Sequence, residues 1–247
     1  MKFCLRLAET DFLVESNYDY VFKLCQGYTV SEAKSPISIK ITEDDIRYED
    51  EKSKKEDIIE GIEPRRFSNE YLESLSVYRK ICDVLCDYDT ILFHGSCIAL
   101  DRKAYLFAAK SGTGKSTHTA LWRELLGDRA VMVNDDKPLL KITDSSVIAY
   151  GTPWSGKHNL NENISVPLSA ICFLHRGTQN RIERLEADSF SEVFPLLIQQ
   201  TYRPRDAVSL TKVLGLIGSI KDKVRLYKLF CNTDISSAML SYNAMKE

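Results

Sequence analysis

The chain has 247 residues, of which 44% are hydrophobic and 28% are charged, and its formal net charge is −2. This length suits one large domain, or one large and one small domain. A charge near zero excludes a general preference for nucleic acid or an anionic membrane surface. No apolar run is long enough to span a bilayer, and no signal segment opens the chain, so we predict a cytoplasmic protein.

The seven cysteines are odd in number, and most lie within apolar patterns. We therefore expect free thiols, most of them buried. Cys82 and Cys86 are four residues apart on a predicted helix, a spacing that would suit a metal pair. No histidine or further cysteine flanks them, which favours core packing.

The first 66 residues predict a small β-rich N-terminal portion, followed by a domain over residues 67–247. Alternating apolar residues predict strands at Lys2–Glu9, Val21–Val30 and Pro36–Thr42. The segment Thr42–Arg66 is rich in lysine and acidic residues, and we interpret it as a solvated loop or hairpin tip.

An amphipathic helix is predicted over Ser68–Cys86, with Ser68 as its N-cap. The next strand, Thr90–Leu100, is interrupted at His94-Gly95-Ser96. A tight turn then leads into an apolar strand, Ala104–Ala108, so the two strands predict a β-hairpin.

A glycine-rich segment, Ala109–Thr117, follows this strand and precedes a helix predicted to end at Gly127. A strand, a glycine-rich turn and a helix in this order are typical of a phosphate-binding loop, in which backbone N–H groups and the helix N-terminus face the phosphates. In such a loop Lys115 reaches the β and γ phosphates of ATP, and Ser116 holds Mg²⁺. The predicted nucleotide-binding residues are Ser111, Gly112, Thr113, Gly114, Lys115, Ser116 and Thr117.

Ala109 stands where the loop pattern has its first glycine, and alanine fits there if its φ is negative. The alternative interpretation of the segment is a turn rich in glycine and serine with an incidental lysine.

A short strand, Ala130–Asn134, ends in Asp135-Asp136. Carboxylates at the carboxyl end of a strand, downstream of a phosphate loop, lie where Mg²⁺ and an attacking hydroxyl need negative oxygen atoms. The alternative is a plain acidic turn.

A second predicted hairpin, Pro138–Thr143 with Val147–Tyr150, leads into the segment Gly151–His158. Trp154, Lys157 and His158 in this segment are candidates to seat the acceptor or the γ-phosphate. A surface turn is an equally good interpretation of the segment alone. The rest of the chain predicts strands at Ala170–His175 and Leu226–Cys231 and helices at Asp188–Gln200, Asp206–Ile220 and Ile235–Met245.

The order His94-Gly95, hairpin, phosphate loop, helix and Asp135-Asp136 resembles HPr kinase/phosphorylase, and the match covers mainly residues 91–137. The resemblance implies an α/β fold similar to the nucleotide domain of phosphoenolpyruvate carboxykinase, with a mixed β-sheet and flanking helices. It also implies roles: Lys115 binds the β and γ phosphates, Ser116 and Asp136 hold Mg²⁺, Asp135 is the base toward the acceptor hydroxyl, and His94 lies beside Asp135.

The glycine- and glutamate-containing signature of true HPr kinases does not follow the acidic pair. The chain looks more like divergent HPr-kinase-like proteins encoded beside ribosomally made, modified peptides, some of which phosphorylate a serine of a precursor peptide. The resemblance therefore implies an ATP- and Mg²⁺-dependent kinase acting on a hydroxyl, a serine in particular, of a peptide or small protein. A small-molecule kinase of the same fold and a non-catalytic, nucleotide-dependent binding module are the alternatives. The sequence leaves open whether the chain forms a homo-oligomer.

Overall fold

The computed structural model describes residues 1–186 and 190–246. The chain divides into two compact units, Met1–Leu85 and Cys86–Glu247. We expected a boundary between residues 66 and 67, but the helix of residues 69–85 belongs to the first unit, since its side chains are hydrogen-bonded to the N-terminal segments. All seven cysteines are free, and five of them are buried. Within the described residues, no helix has both the length and the apolar character needed to cross a membrane.

The first unit combines a three-stranded sheet with three helices. Strands β1 (Lys2–Leu7) and β2 (Thr10–Glu15) form an antiparallel hairpin, and β3 (Ile37–Lys40) pairs in parallel with β2. The helices are α1 (Asp19–Cys25), α2 (Glu43–Ile59) and α3 (Asn69–Leu85). The expected β-rich portion is therefore a mixed α/β unit.

The strand predicted over Val21–Val30 is wrong, because this segment forms most of α1 and a short 3-10 turn, Gln26–Tyr28. The carboxylate of Glu73, on α3, accepts hydrogen bonds from the backbone N–H groups of Asn17 (2.6 Å) and Tyr18 (3.0 Å). These N–H groups lie at the start of α1, where a helix leaves donors without partners. The partner is more than fifty residues away, so local sequence carries no sign of it.

The solvated loop predicted over Thr42–Arg66 is also wrong, because this segment contains α2. A capping box starts the helix: Thr42 accepts from the N–H of Asp45 (3.4 Å), and Asp45 accepts from the N–H of Thr42 (2.9 Å). Arg79 of α3 donates to the buried Glu49 (2.5 Å). The buried residues of α2 are Ile46, Glu49 and Asp57. Two of the three are acids, so the buried face lacks the apolar stripe by which an amphipathic helix is recognised.

The second unit is built on a mixed sheet, which has nine strands among the described residues. In chain order they are β4 (Thr90–Leu92), β5 (Ser96–Leu100), β6 (Lys103–Ala108), β7 (Ala130–Asn134), β8 (Leu139–Ile142), β9 (Val147–Tyr150), β10 (Ser165–Arg176), β11 (Arg181–Leu185) and β12 (Arg225–Cys231). Their order across the sheet is β4-β8-β9-β10-β6-β5-β7, and β12 pairs with β10 and β11.

Strand directions bring four strand ends to one edge of this sheet. β10 runs parallel to both β6 and β12, while β5 runs antiparallel to β6 and to β7. The carboxyl ends of β6, β7, β10 and β12 therefore lie at the same edge, which is where α/β proteins commonly bind ligands.

Helices cover both faces of the sheet: α4 (Lys115–Leu126), α5 (Phe190–Gln200), α6 (Ala207–Ile220) and α7 (Ile235–Met245). Alternate residues of β10 point into two cores: Ile171 and Phe173 share one with α5 and α6, and Cys172 and Leu174 share the other with α4 and α7. The expected mixed sheet with flanking helices is confirmed. The predicted first residue of α5, Asp188, lies outside the described residues, and β11 was not predicted.

The segment predicted as one interrupted strand, Thr90–Leu100, forms two strands in different parts of the sheet. β4 pairs with β8, whereas β5 pairs with β6 and β7. Gly95 lies in the connection, and a Cβ there would be 3.0 Å from the carbonyl oxygen of Phe107. This close approach favours glycine, because a Cβ would force its neighbours to move, and it brings the adjacent His94 to the end of β6.

Candidate functional site

The glycine-rich segment forms a tight loop between β6 and α4. Gly112 (φ 71°) and Gly114 (φ 123°) have backbone angles that residues with a Cβ rarely adopt. The first helical hydrogen bond runs from the N–H of His118 to the carbonyl of Gly114 (2.9 Å). The loop therefore ends where α4 starts, with the N-terminal N–H groups of the helix next to it.

The predicted nucleotide-binding residues differ in exposure along this loop. Ser111, Gly112 and Thr117 are exposed, Thr113, Gly114 and Ser116 are half-buried, and Lys115 is 9% exposed. The exposed backbone of the loop is accessible to a ligand, while the lysine side chain lies beneath it.

Two cationic side chains are held by carbonyl groups of the loop. Lys115 Nζ donates to the carbonyl of Ala109 (3.2 Å), and Arg176 Nη2, at the end of β10, donates to the carbonyl of Gly112 (2.6 Å). Ala109 does not have a positive φ, so alanine is accommodated at this position. A phosphate oxygen binds a cation more strongly than a neutral carbonyl does, so both contacts are of a kind that an anionic ligand can displace.

Gln200, at the end of α5, joins the loop to His94. The backbone N–H of His94 donates to the carbonyl of Gln200 (2.6 Å). With its amide oriented so that both polar atoms have partners, Gln200 Nε2 donates to the carbonyls of His94 (3.1 Å) and Ala109 (3.3 Å). These bonds fix the position of His94 relative to the loop.

Asp135 is buried, with 5% of its surface exposed. Its Oδ1 accepts a hydrogen bond from Ser96 Oγ (2.6 Å), and Ser96 Oγ is 2.9 Å from Thr119 Oγ1 on α4. Because Ser96 gives its one hydroxyl proton to Asp135, Thr119 Oγ1 is the donor to Ser96 Oγ. Two hydrogen bonds thus connect Asp135 with α4.

Asp136 points toward His94, whereas Asp135 points toward Ser96, and the side chain of Asp136 is 26% exposed. His94 Nε2 lies 3.1 Å from Asp136 Oδ1, and Lys137 Nζ lies 3.8 Å from Asp136 Oδ2. Burial raises the pKa of Asp136, but the His94 hydrogen bond and the charges of Lys137 and Lys115 outweigh it, so its pKa is below the ordinary value. We expected His94 beside Asp135. It pairs with Asp136 instead, because Asp135 turns toward Ser96.

Asn134 organises the acidic turn, and sequence reasoning did not single it out. Its Oδ1 accepts the backbone N–H groups of Asp136 (2.9 Å) and Lys137 (2.6 Å). Its Nδ2 donates to the carbonyls of Thr152 (2.9 Å) and Trp154 (3.3 Å). One buried amide therefore holds the acidic pair against the segment that we considered an acceptor loop.

The predicted acceptor loop borders Asp136 through its glycine. A Cβ on Gly156 would lie 3.1 Å from the Cβ of Asp136. Trp154 is 5% exposed and packs inside the unit, whereas Lys157 and His158 are exposed on the short 3-10 turn that begins at Gly156. The structure brings the backbone of this loop to the acidic pair and leaves its two basic side chains at the surface.

The oxygen-rich donor set at this edge suits Mg²⁺. Among the described residues, no group of three or more histidines, cysteines and acids could hold a metal ion. Mg²⁺ in phosphoryl-transfer sites is bound through one or two carboxylates together with substrate phosphates, so two adjacent aspartates and a nearby serine are sufficient protein ligands.

Sequence reasoning missed five residues that shape the site: Ser96, Thr119, Asn134, Arg176 and Gln200. The first three had a local signal: Ser96 directly follows His94-Gly95, Thr119 lies on the loop helix, and Asn134 directly precedes the acidic pair. Arg176 and Gln200 come from distant segments, and only the folded sheet edge brings them to the loop.

No protein-family model matches the chain, and no curated protein matches it. Among solved structures, the chain is similar to the Hpr(Ser) kinase/phosphatase from Coxiella burnetii, with a TM-score of 0.34 and 11% sequence identity. The alignment covers 63% of this chain and 99% of that chain. A similarity this low supports neither a fold assignment nor a function.

Proposed function

We propose that this chain is an ATP- and Mg²⁺-dependent kinase that transfers the γ-phosphate to a hydroxyl, a serine in particular, of a peptide or small protein. The observation that carries the proposal is that the glycine-rich loop, after β6, and the acidic pair, after β7, lie at the same edge of the sheet. There Asp136 is partly exposed; burial raises its pKa, but the His94 hydrogen bond and the charges of Lys137 and Lys115 hold it below the ordinary value.

The loop and its cation provide the phosphate-binding half of this proposal. Exposed backbone N–H groups around Gly112 and the start of α4 suit phosphate oxygens. Lys115 leaves the carbonyl of Ala109 for the β and γ phosphates when a nucleotide binds. Transfer then depends on positioning and charge neutralisation.

The burial of the two aspartates favours a division of roles opposite to the one implied by the family resemblance. A hydroxyl from another molecule must reach the base from solvent, and Asp136 is the more exposed of the pair. The carboxylate of Asp136 is ionised at neutral pH, because its pKa is below the ordinary value, and it is available to accept the hydroxyl proton. His94 orients Asp136 through their hydrogen bond.

Asp135 is better suited to the metal side. It is buried and linked through Ser96 and Thr119 to α4, the helix on which Ser116 lies. We assign Asp135 and Ser116 as the residues that would hold Mg²⁺. When bound, the ion neutralises phosphate charge during transfer.

The acceptor side of the proposal is the segment around Gly156, which passes Asp136 without a side chain between them. Lys157 and His158 are exposed next to it, where they can contact an acceptor carried on a polypeptide. The peptide class of acceptor rests on the resemblance described above, together with the accessibility of this loop.

The test compares wild type with Lys115→Ala and with a control, Lys103→Ala, which removes an exposed lysine from the start of β6. We expect Lys115→Ala to weaken ATP binding by at least about tenfold and to abolish measurable γ-phosphate transfer to serine peptides, because a charge-assisted phosphate contact is lost. Lys103→Ala should behave as wild type, and circular dichroism should show all three proteins folded.

Three outcomes would change the assignment. Unchanged ATP binding by a folded Lys115→Ala protein contradicts nucleotide binding at the loop. Transfer to metabolite hydroxyls alone favours a small-molecule kinase. Tight ATP binding without transfer to any hydroxyl favours a nucleotide-dependent binding module.

A further inference from the structure

A cavity of about 410 Å³ lies on the other side of the glycine-rich loop from the acidic pair. It is lined by the loop, by one face of α4 and by the ends of β10 and β12. This volume is within the range of about 300–1,000 Å³ that is typical of small-molecule sites. The proposed function does not use this cavity.

The strand order explains where the cavity lies relative to a phosphate chain. The loop follows β6, the acidic pair follows β7, and the cavity lies at the ends of β10 and β12. Because β6 stands between β7 and β10 in the sheet, a phosphate chain on the loop has the acidic pair on one side and the cavity on the other. We propose that this cavity binds the nucleoside of the nucleotide, with a purine base as its occupant. The inference rests on the proposed function.

The walls of the cavity suit a flat, uncharged ring. Leu121 of α4 is half-buried, and Leu174 of β10 is 5% exposed, so both present apolar surface. His118 also lines the cavity, and its ring is almost fully buried, with 2% of the residue exposed. An uncharged base packs against these groups without placing a charge beside them.

Asn232, directly after β12, supplies a polar edge. Its Oδ1 accepts the backbone N–H of Asp234 (3.0 Å), which fixes the orientation of the amide. The side-chain nitrogen then has two N–H groups to offer, and the ring nitrogens of a purine are acceptors. The neighbouring Thr233 also lines the cavity, and a threonine hydroxyl suits a ribose hydroxyl.

Arg176 marks the boundary between the cavity and the loop. It lines the cavity while its Nη2 donates to the carbonyl of Gly112 (2.6 Å). This position places a guanidinium where the phosphate nearest the nucleoside would lie. The cavity therefore offers apolar walls for the base, an amide for its edge and a cation for the first phosphate.

The experiment separates the nucleoside from the phosphates by calorimetric titration with MgATP and with Mg-tripolyphosphate. Leu121→Trp fills the cavity, and Ala120→Trp places the same residue at an exposed position of the same helix. We expect Leu121→Trp to weaken ATP binding by about 10- to 100-fold, as loss of apolar burial implies, and to leave tripolyphosphate binding unchanged. Ala120→Trp should leave both unchanged.

A second pair of variants keeps the test decisive if Leu121→Trp fails to fold. Asn232→Asp keeps the oxygen that accepts from Asp234 and replaces the donor nitrogen by an acceptor. Asn180→Asp adds the same charge at the neighbouring amide, which bonds the backbone of Asn232 and lies outside the cavity. We expect Asn232→Asp to lose at least about tenfold more ATP affinity than Asn180→Asp. The two variants should have the same affinity for tripolyphosphate.

The outcomes distinguish this inference from the proposed function. Equal affinity of the wild-type protein for ATP and tripolyphosphate, or equal ATP affinity in each variant and its control, overturns the nucleoside site while leaving the phosphate loop intact. Failure of the wild-type protein to bind either ligand overturns both.

Discussion

Each unit of this chain contains a cluster of charged side chains, and the two clusters differ in how their charges are satisfied. In the first unit, Asp45 and Glu49 of α2 face Arg79 and Lys80 of α3. Arg79 donates to Glu49 (2.5 Å) and to Asp45 (3.1 Å), and Lys80 donates to Asp45 (2.6 Å). Every carboxylate here has a protein cation, and Glu49 is only 2% exposed.

In the second unit, the glycine-rich loop holds its cations differently. Lys115 and Arg176 donate to neutral backbone carbonyls, and Asp136 stays partly exposed beside His94. The comparison teaches that a charged group is a candidate for chemistry when its partners can be exchanged for a ligand. In the α2–α3 cluster, Lys80 also donates to the carbonyl of Lys40 (2.9 Å), but both Lys80 and Arg79 are paired with carboxylates of α2, and we interpret the cluster as structural.

Arg79→Ala should produce the largest effect on the α2–α3 side of this comparison. Removing Arg79 leaves Glu49 and Asp45 poorly compensated, so we expect a loss of about 3 kcal/mol in the free energy of unfolding. Urea denaturation measures this loss. Lys52→Ala is the control, because Lys52 is 37% exposed and makes only longer ion pairs on α2, and its loss should be below about 0.5 kcal/mol. Equal losses in the two variants would show that the cluster is not structural.

The stabilisation by Asp45 should depend on pH. Burial raises the pKa of Asp45, but hydrogen bonds from Lys80, Thr42 and Arg79 more than offset this, so its pKa is well below the usual range. A depressed carboxyl pKa stabilises the fold above the unfolded-state value of about 4, and this contribution is lost as the pH falls below it. We expect wild type to exceed Asp45→Asn by about 2 kcal/mol in unfolding free energy at pH 7, and the difference to shrink below about pH 4. A difference independent of pH between 7 and 2 would contradict this account.

Ala109→Gly should have the smallest effect, and it tests whether the loop depends on its unusual first residue. Lys115 bonds the backbone carbonyl of residue 109, which glycine retains, and Ala109 does not have the positive φ that would require glycine. We expect ATP affinity to change by less than about twofold, and stability to fall by about 0.5–1 kcal/mol because glycine is more flexible in the unfolded chain. Titration and thermal unfolding of the variant measure both. A large gain in ATP affinity would show that the alanine distorts the loop.

The glycine-rich loop and the acidic pair could be predicted from sequence because their signals are local. Gly112 and Gly114 mark the backbone turn, and the apolar strands before the loop and before Asp135 define their positions. The same holds for Ser68, which was predicted as the N-cap of α3 and accepts the N–H of Tyr71 (3.3 Å).

The interactions that could not be predicted join distant segments. Glu73 stabilises the start of α1 across 56 residues, Arg79 bonds Glu49 across 30, and Arg176 reaches the loop across 64. The neighbour of His94 was mistaken for the same reason. Which of two adjacent aspartates faces His94 depends on Ser96, which bonds Asp135 across 39 residues. Successive side chains of a strand point to opposite sides, but the sequence does not show whether Asp135 or Asp136 points toward His94.

The central claim is that Asp136 is the base and Asp135 lies on the metal side, and one paired measurement tests it most directly. Phosphoryl transfer and ATP affinity, with and without Mg²⁺, are compared for wild type, Asp136→Asn and Asp135→Asn. We predict that Asp136→Asn slows transfer by about 10²- to 10⁴-fold with ATP affinity nearly unchanged, as loss of a general base implies. Asp135→Asn should weaken ATP binding in the presence of Mg²⁺ much more than in its absence. The claim would be contradicted if Asp136→Asn transferred phosphate at the wild-type rate. It would also be contradicted if Asp135→Asn transferred phosphate slowly while its ATP affinity in the presence of Mg²⁺ stayed at the wild-type value.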